Sequence, residues 1–462
     1  MKQYLPNKEF LKTFFKYTTP VIIQALVSFL IGLVDTLLVS GLTNEAVSAT
    51  YAVSQITFIL NIFVSGIIMG ASVYVQQFFG AKDEERLLQA HRMKLILGGA
   101  IFLLLTITAF IFGPYFIKFY ARSSPNKSLI MAEAAKYAPI IYVSYIPYGL
   151  TLIYTSTFRE IRKTSYPMIA SVTALVMNVI LGYLLIYVAD FGIKGAAIAT
   201  LISRILEFSI LLLLAYKHHL ISLKNTFKDF VVSRLLGKEI MRRGFPLFLN
   251  HLSWGIGMVA LSSSYAAKAD VLSALHIFNT TTAFFSIIYN ALAVGVSIMI
   301  GNVLGEGKPE EAKRNAWQML IFGIMSGVVF GVILISLSPF IPLSFKEVSV
   351  QEKELASKLL IIYGSCLSFF TIPTVAFGAL RAGGKPQPVL ILDVISMWIW
   401  SVPIAWLLIT YTMVDLVWIY LAVQFGDFFK AVIGIIVMKK VNWANNLTTE
   451  FKEEINHLPS DW

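Results

Sequence analysis

A single acidic residue stands in a long apolar stretch near the start of the chain. Between Tyr17 and Asn44, only Asp35 carries a charge at neutral pH, within the run LIGLVDTLLVSGL. A charge at the centre of a membrane helix costs about 2.5–3.5 kcal/mol on insertion scales, so such a residue usually has a function. A buried carboxyl group whose pKa is raised toward neutral can bind a proton on one side of a membrane and release it on the other. We therefore predict that Asp35 is an ion-coupling residue; the alternative is a solvated acid close to the membrane interface.

A second isolated acid occurs in the second half of the chain. Asp393, in VLILDVISMW, has no other charged residue between Lys385 and Asp415. It could bind a cationic substrate, or it could stabilise a helix contact near the cytoplasmic end of its segment, and the sequence leaves both open. The apolar segments are also rich in aromatic residues and Met, which bind flat lipophilic cations through cation–π and adaptable apolar contacts.

The composition places these acids in a membrane protein. Of 462 residues, 57% are hydrophobic and 14% are charged, whereas soluble domains are roughly 45–50% apolar. The net charge of +11 could suggest a nucleic-acid partner. The basic residues lie in short segments between apolar runs, however, which is the positive-inside pattern of membrane proteins and argues against nucleic acid. The one cysteine, Cys366, excludes a disulfide within the chain.

Apolar runs near or above the roughly 18–20 residues that cross a bilayer as a helix recur along the chain. They predict twelve spans, at about 17–41, 51–78, 94–117, 137–158, 166–188, 195–216, 245–267, 272–300, 316–338, 357–380, 388–410 and 416–438. Of the 37 Lys and Arg residues, 26 fall on the side of the two termini and nine on the other side. We expect a multi-pass protein of the plasma membrane, the inner membrane of the cell, with both termini in the cytoplasm.

The two halves of the chain resemble each other. An offset of 226 residues places Pro20 on Pro246 and GAKDEERLLQAHRM on EGKPEEAKRNAWQM, and an offset of 222 places Arg159 on Arg381. Short Lys/Glu loops look alike in many membrane proteins, but here the loop, Pro and Arg positions agree in order. We infer two parallel six-helix repeats around a central cleft, the geometry of alternating access. The expected domains are lobe 1–216, cytoplasmic loop 217–243, lobe 244–440 and tail 441–462.

Several motifs occur in an order that is typical of one family. These are P-x14-D in the first span, GAKDEE after the second, FREIRKTSYPM before the fifth, MNVILGY within it, GIKGAAIAT entering the sixth, and GEGKPEEAKR and LRAGGKP in the second half. Over nearly its whole length the chain resembles the multidrug and toxic compound extrusion (MATE) transporters, most closely the bacterial branch related to the DNA-damage-inducible F proteins. Lipid-linked oligosaccharide flippases share the distant fold. The lipid II flippases line their cavity with several basic residues, whereas only Arg204 and Lys430 fall within spans here.

The resemblance implies a set of site residues. In the family the first-span Asp is the coupling-cation site, which corresponds to Asp35. Polar groups from the fourth, fifth and sixth spans join it, and the matching residues here are Asn178, Thr200 and, less closely matched, Thr155 and Tyr137. Amide and hydroxyl oxygens suit either Na⁺ or a hydrogen-bond network around a titrating acid. Each of these polar residues could instead serve helix packing alone.

Three departures from the family affect the choice of ion and the substrate site. Some members carry a second acid one turn after the Asn, where this chain has Gly182. Branches with carboxylates in the seventh and tenth spans bind cations there, but this chain offers Trp254 and about Phe370. No firm metal site is therefore expected, and Asp35 is the one candidate position for Na⁺. Trp254 and Asp393 become candidates for substrate binding.

These features together predict a secondary active multidrug exporter. The chain has no HExxH motif and no GxxxxGK[ST] loop, so we expect no enzyme activity and no cofactor, and an ion gradient as the energy source. The expected cycle exchanges H⁺ for small amphipathic cationic drugs, with Na⁺ as the alternative ion, and is carried out by a monomer in the lipid bilayer. A flippase for a lipid or lipid-linked saccharide is the first alternative. A non-transporting membrane binding or assembly protein is the second.

Overall fold

The computed structural model describes residues 4–123, 126–228, 230–268, 271–345 and 348–456, and contains no β-strand within these ranges. Twelve long helices follow one another, counting their π-helical turns. Their bounds are Lys8–Ser40 (α1), Asn44–Gly80 (α2), Glu84–Tyr120 (α3), Lys127–Glu160 (α4), Ser165–Val188 (α5), Gly192–Lys217 (α6), Arg234–Ala266 (α7), Leu272–Gly305 (α8), Pro309–Leu337 (α9), Val350–Ala382 (α10), Gln387–Tyr411 (α11) and Leu416–Lys440 (α12). Short helices at Leu223–Phe227 and Leu447–Asn456 lie between α6 and α7 and after α12.

Eleven of these helices in the described ranges are long and apolar enough to cross a membrane. The remaining one, α4, carries charges at both ends, two prolines and several Tyr and Thr residues. Large apolar side chains also point outward along α3, where Leu104 and Phe112 are each 60% exposed. In water such a surface would be costly, but it fits contact with lipid.

The helices extend beyond the predicted spans where polar caps or packing support them. The α3 helix begins ten residues before its apolar run, because the Asp83 side chain accepts a hydrogen bond from the Arg86 backbone N–H at 3.2 Å. Similarly, α1 begins at Lys8, since Phe10 and Phe14 on its first turns are buried. The apolar runs therefore mark the membrane segments, and the helices are longer.

The ends of α4 and α10 show the same backbone geometry. After α4, Arg162 has φ 62° and the Lys163 N–H donates to the Phe158 carbonyl at 2.8 Å. After α10, Gly384 has φ 75° and the Lys385 N–H donates to the Leu380 carbonyl at 2.9 Å. Both are Schellman-type ends with one residue in the left-handed region. They lie 222 residues apart, at the offset that relates the two halves of the sequence.

Helix contacts divide the chain into two compact units. The N-unit contains Ile23–Val75 and Asp83–Gly244, and its core includes Leu60, Phe102 and Ile153. The C-unit contains the described residues of Met1–Ile22, Gln76–Lys82 and Phe245–Trp462. In the C-unit, the end of α2 is fixed by Gln77, which donates to the Ala382 carbonyl at 2.8 Å and accepts from the Leu447 N–H at 2.7 Å.

Glycines allow α9 and α10 to pack closely within the C-unit. Gly323, Gly327 and Gly331 form a four-residue repeat along α9. A Cβ atom at Gly327 would lie 2.6 Å from the Ser368 Cα, and one at Gly331 would lie 2.4 Å from the Gly364 carbonyl oxygen. Both neighbours are backbone atoms, which cannot move aside as a side chain could. Small residues at this spacing are typical of helix pairs in membranes.

Candidate ion-coupling site

Asp35 and Asn178 lie close together inside the N-unit. Asp35 is half-buried on α1, and Asn178 on α5 is only 2% exposed. The Asn178 side chain lies close to the Asp35 carboxyl group. Its own Oδ1 atom is buried and has no hydrogen-bond partner among the described residues. The two helices therefore place a carboxylate beside an amide that still has an acceptor to offer.

Tyr137 on α4 brings a third helix to this acid. Its side chain is buried and lies within electrostatic reach of Asp35. Tyr145, two turns further along α4, shares a hydrogen bond of 2.9 Å with the Thr57 hydroxyl. Tyr137 and Asn178 thus place a neutral hydroxyl group and a neutral amide group near Asp35, and both groups can hydrogen-bond to either protonation state of a carboxyl group.

Thr155 and Thr200 are not joined to Asp35 by any hydrogen bond in the part of the chain that the structure describes. The Thr200 hydroxyl donates to the Ala196 carbonyl of its own helix at 3.0 Å. The Thr155 hydroxyl is buried without a hydrogen-bond partner among those residues. Of the five candidate residues, the structure thus brings together Asp35, Asn178 and Tyr137.

Arg204 is the charged residue of this site to which the sequence assigned no role. It lies on α6, one turn after Thr200, and its guanidinium group is within electrostatic reach of Asp35. Two contacts hold it there. It forms a 2.9 Å ion pair with Glu207, and it stacks on the Tyr148 ring at 4.5 Å from the ring centre. A fixed positive charge therefore lies close to Asp35.

A continuous row of polar contacts leads from Arg204 to the end of α4. The Glu207 carboxylate accepts from the Ser171 hydroxyl at 2.7 Å, and that hydroxyl accepts from the Gln24 amide at 3.0 Å. The Gln24 carbonyl oxygen in turn accepts from the Arg159 guanidinium at 2.6 Å. We call these residues the N-unit polar chain: Arg204, Glu207, Ser171, Gln24 and Arg159.

The sequence does contain a signal for this arrangement. Arg204 and Glu207 are spaced i, i+3 within the sixth apolar run, where an isolated charge would be costly and a paired one less so. Ser171 and Gln24 carried no comparable signal, because uncharged polar residues are common in membrane helices. Their roles become visible only when residues 147 positions apart are seen in contact.

In the C-unit, Asp393 has three polar partners. It accepts from the Asn250 amide at 2.7 Å and lies 3.3 Å from the Lys430 ammonium and 3.7 Å from the Arg381 guanidinium. Trp254, the other candidate substrate residue, is 44% exposed on α7. A substrate cation at Asp393 would have to compete with these two internal cations.

The described residues contain no group of three or more His, Cys, Asp or Glu side chains that could hold a metal ion. A Na⁺ ion at Asp35 would therefore depend on one carboxylate together with the amide and hydroxyl oxygens of the N-unit. Such oxygens are suitable ligands for a hard cation, but they bring no second negative charge.

Comparison with known proteins gives a consistent result. The family model MatE matches residues 20–184 and 247–407. The probable multidrug resistance protein NorM of Thermotoga maritima is 23% identical over 470 residues, which covers 98% of each protein.

Solved structures share the fold. A multidrug resistance MATE family transporter of the MOP superfamily, in an outward-facing conformation, superposes with a TM-score of 0.83 at 22% identity and covers 95% of this chain and 96% of its own. A MOP superfamily transporter from Pyrococcus furiosus, reported to have a binding pocket of reversed polarity that suggests a different function, gives 0.81 at 22% identity, covering 95% and 98%. These likenesses confirm the predicted all-α architecture of twelve membrane helices in two lobes.

Proposed function

Since the chain belongs to the MatE family of multidrug and toxic compound extrusion transporters, we propose that it is an antiporter that exports amphipathic organic cations in exchange for H⁺. That it is a multi-pass membrane transporter and not an enzyme follows from the family. The substrate class and the coupling ion are the proposal. The likeness to the DNA-damage-inducible F branch also stays a prediction.

The observation that carries the proposal is the environment of Asp35. The acid sits half-buried in an apolar helix, beside the Asn178 amide and the Tyr137 hydroxyl. Neutral partners of this kind can hydrogen-bond to the carboxyl group whether or not it carries a proton. Proton binding there changes the local charge by one without requiring new ligands. We keep Thr155 and Thr200 as more distant members of the same site.

The number of available ligands favours a proton over Na⁺ at this site. Either ion adds one unit of positive charge beside the Arg204 guanidinium group, which keeps its ion pair with Glu207. A proton bonds to the carboxyl group alone, whereas Na⁺ needs several oxygen ligands and usually more than one negative charge. Since Gly182 replaces the second acid that some family members carry, one carboxylate would have to offset the charge of the ion alone.

For coupling, the ion and the drug must act on the same equilibrium. If proton binding at Asp35 and drug binding exclude each other, or stabilise states open to opposite sides, the inward flow of protons drives drug outward. In our proposal Asp35 binds the proton, and Asn178 and Tyr137 orient its carboxyl group. Arg204 offsets the negative charge of Asp35 while the carboxyl group is ionised. No residue forms a covalent bond with the substrate.

An apolar pocket lies between α1 and α5, the two helices that carry Asp35 and Asn178. Its volume is about 300 Å³, and its lining comes from α1 and α5: Leu30, Val34, Leu175, Val176, Val179 and Ile180. Val34 is the neighbour of Asp35, and Val179 is the neighbour of Asn178. An organic cation could place its apolar part here and its charge at the acid. Asp393 and Trp254 remain proposed secondary contacts for the substrate.

Two further parts of the proposal concern location and assembly. The excess of Lys and Arg in alternate loops supports insertion in the plasma membrane with both termini cytoplasmic. We propose a monomer, in which lobes 1–216 and 244–440 are joined by loop 217–243 and followed by tail 441–462. A lipid or lipid-linked saccharide flippase remains the alternative, and the presence of only two basic residues within the spans, Arg204 and Lys430, argues against it.

Drug efflux by an Asp35→Asn variant tests the proposal. The substitution keeps the shape and hydrogen bonding of the side chain but removes its titration, so we expect normal expression in the membrane. ΔpH-driven uptake of a cationic dye into everted vesicles should fall about tenfold or more, because one lost ionic interaction of about 1.4 kcal/mol corresponds to a factor of ten. Asp190→Asn is the matched control, because Asp190 is an exposed acid in the left-handed region, which Asn also adopts. Unchanged efflux by Asp35→Asn at matched expression would contradict the proposal.

A further inference from the structure

The C-unit contains a second polar chain. The Arg381 guanidinium donates to the Asn250 carbonyl oxygen at 3.2 Å, and the Asn250 amide donates to Asp393 at 2.7 Å. Lys430 then contacts both Asp393, at 3.3 Å, and Asp427, at 3.0 Å. We call these residues the C-unit polar chain: Arg381, Asn250, Asp393, Lys430 and Asp427.

The two polar chains occupy equivalent positions in the two repeats. Gln24 and Asn250 are offset by 226 residues, like the aligned prolines. Arg159 and Arg381, and Ser171 and Asp393, are offset by 222, like the aligned helix ends. Glu207 and Lys430, and Arg204 and Asp427, are offset by 223, as are the last residues of α6 and α12. In each unit an Arg binds an amide, the amide binds the fifth helix of its repeat, and that helix contacts the sixth.

The two chains differ in the order of the charges on the sixth helix of the repeat and in the residue that these charges meet on the fifth. On α6 the order is Arg204 then Glu207, whereas on α12 it is Asp427 then Lys430. In the N-unit the residue facing the fifth helix is an acid, which meets the neutral Ser171. In the C-unit it is an ammonium group, which meets the acid Asp393. The repeat thus has inverted polarity at the same place.

Lys430 occupies the position of a bound cation. Its ammonium group lies between two carboxylates from different helices, and its side chain is 14% exposed, against 17% for Asp393 and 30% for Asp427. In many ion sites two acids bind one cation between them. Here the cation is the ammonium group of Lys430, which is attached to the protein. A free cation at the same point would be repelled by the ammonium group.

We propose that Lys430 is a resident counter-cation that fills a dicarboxylate cation site in the C-unit, so that this unit binds no free ion as long as the lysine is present. It follows that Lys430 determines which unit responds to external ions. Removing its charge would leave two carboxylates and only one neighbouring cation, Arg381, which lies 3.7 Å from Asp393. A free monovalent inorganic cation could then bind between Asp393 and Asp427. This inference does not depend on proton coupling at Asp35, because it concerns other residues and its test measures binding.

The experiment compares the thermal stability of purified wild type and Lys430→Met in detergent. Met keeps the length of the side chain and removes its charge. Tm is measured in NaCl, KCl and N-methyl-D-glucamine chloride at equal ionic strength. We expect the wild-type Tm to be the same in all three salts. The Tm of Lys430→Met should be lowest in the organic salt and rise with Na⁺ or K⁺, saturably, by about 2–4 °C.

Two variants control this measurement. Lys430→Arg keeps a positive charge and should stay insensitive to salt type. Asp427→Asn/Lys430→Met removes one of the two acids as well, and should lose most of the response to Na⁺ and K⁺. The same measurements in an Asp35→Asn background should give the same result, which separates this site from the proposed coupling acid.

Each outcome decides the proposal. A folded Lys430→Met protein whose Tm is unaffected by Na⁺ and K⁺ would overturn it, as would an equal response of the wild type. If Lys430→Met does not fold in any of the three salts, the double variant decides, since it removes the negative charge of Asp427 together with the positive charge of Lys430. Folding of the double variant would support a counter-cation role, and failure of both would overturn it.

Discussion

At the scale of single residues, the charge of Arg204 is shared between two acids. Glu207 is in contact with it at 2.9 Å, and Asp35 is within electrostatic reach. When Glu207 is neutralised, its negative charge no longer offsets the charge of the guanidinium group. The ionised form of Asp35 is then stabilised by Arg204, and proton binding to Asp35 becomes weaker. The N-unit polar chain would then act on the coupling ion through Arg204.

We therefore predict that Glu207→Gln shifts the pH dependence of efflux. The external pH that gives half-maximal drug transport should move to lower values by about one pH unit, which corresponds to about 1.4 kcal/mol. The measurement is the rate of dye transport in vesicles over a range of imposed pH values. Glu311→Gln, a substitution of an exposed acid on α9, should leave the profile unchanged. A lower maximal rate without a shift would indicate a purely structural role for Glu207.

A second residue-scale prediction concerns stability. Lys94 and Glu160 form an ion pair with side-chain exposures of 0% and 5%, and Lys94 also donates to the Ser156 hydroxyl at 2.7 Å. Glu160→Gln would leave a buried ammonium group without its carboxylate, so we expect a loss of about 3–5 kcal/mol of stability. Thermal unfolding in detergent should show this as a clearly lower Tm. Glu354→Gln, which breaks the exposed pair with Lys358, should show no measurable change.

At the scale of helices, close packing of α9 against α10 depends on Gly327. A Val at this position would place its Cβ against the Ser368 backbone, so the two helices would have to separate. We predict that Gly327→Val lowers Tm and reduces the yield of folded protein. Gly99→Val is the matched control, since a Cβ at Gly99 on α3 meets no atom within 4 Å. Equal behaviour of the two variants would show that α9 and α10 are not held by this contact.

Helices were predictable from the sequence where their signal is local. Long apolar runs indicated the twelve helices, and Asp35 was visible because a lone acid in such a run is rare. Helix ends were less predictable, since the first turns of α1 depend on the burial of Phe10 and Phe14. The contacts of Gln24 and Ser171 could not be predicted, because no periodicity shows which polar residues of distant helices meet. The predicted spans end just before Arg159 and Arg381, whereas each of these residues donates to an amide of another helix.

At the scale of the whole molecule, the bias of basic residues predicts the orientation in the membrane. Cys366 is the only native thiol, so a variant without it provides a background for labelling. A new cysteine at Lys224 or Lys313 should react with an impermeant maleimide only from the cytoplasmic side, and one at Asn126 only from the outside. All three positions are at least partly exposed in the structure. Labelling of Asn126 and Lys313 positions from the same side would contradict the predicted topology.

The coupling ion is also a property of the whole transport cycle. Proton coupling requires only that the Asp35 carboxyl group changes its charge, whereas Na⁺ coupling requires several oxygen ligands around an ion placed near Arg204. The C-unit offers no obvious alternative, since in its polar chain Lys430 lies within 3.3 Å of both Asp393 and Asp427. These charges favour a cycle driven by protons alone.

We predict that an imposed ΔpH drives drug transport in Na⁺-free vesicles. A Na⁺ gradient at equal pH on both sides should give less than about one-tenth of that rate, since a preference of about 1.4 kcal/mol for H⁺ over Na⁺ corresponds to a factor of ten. The two gradients are imposed separately on the same vesicle preparation, with Asp35→Asn vesicles as the background. If Na⁺ alone drives full transport and ΔpH does not, the proton assignment is wrong. The unpaired Oδ1 of Asn178 and the Thr155 hydroxyl would then be the first oxygens to test as ligands of a Na⁺ ion held by Asp35.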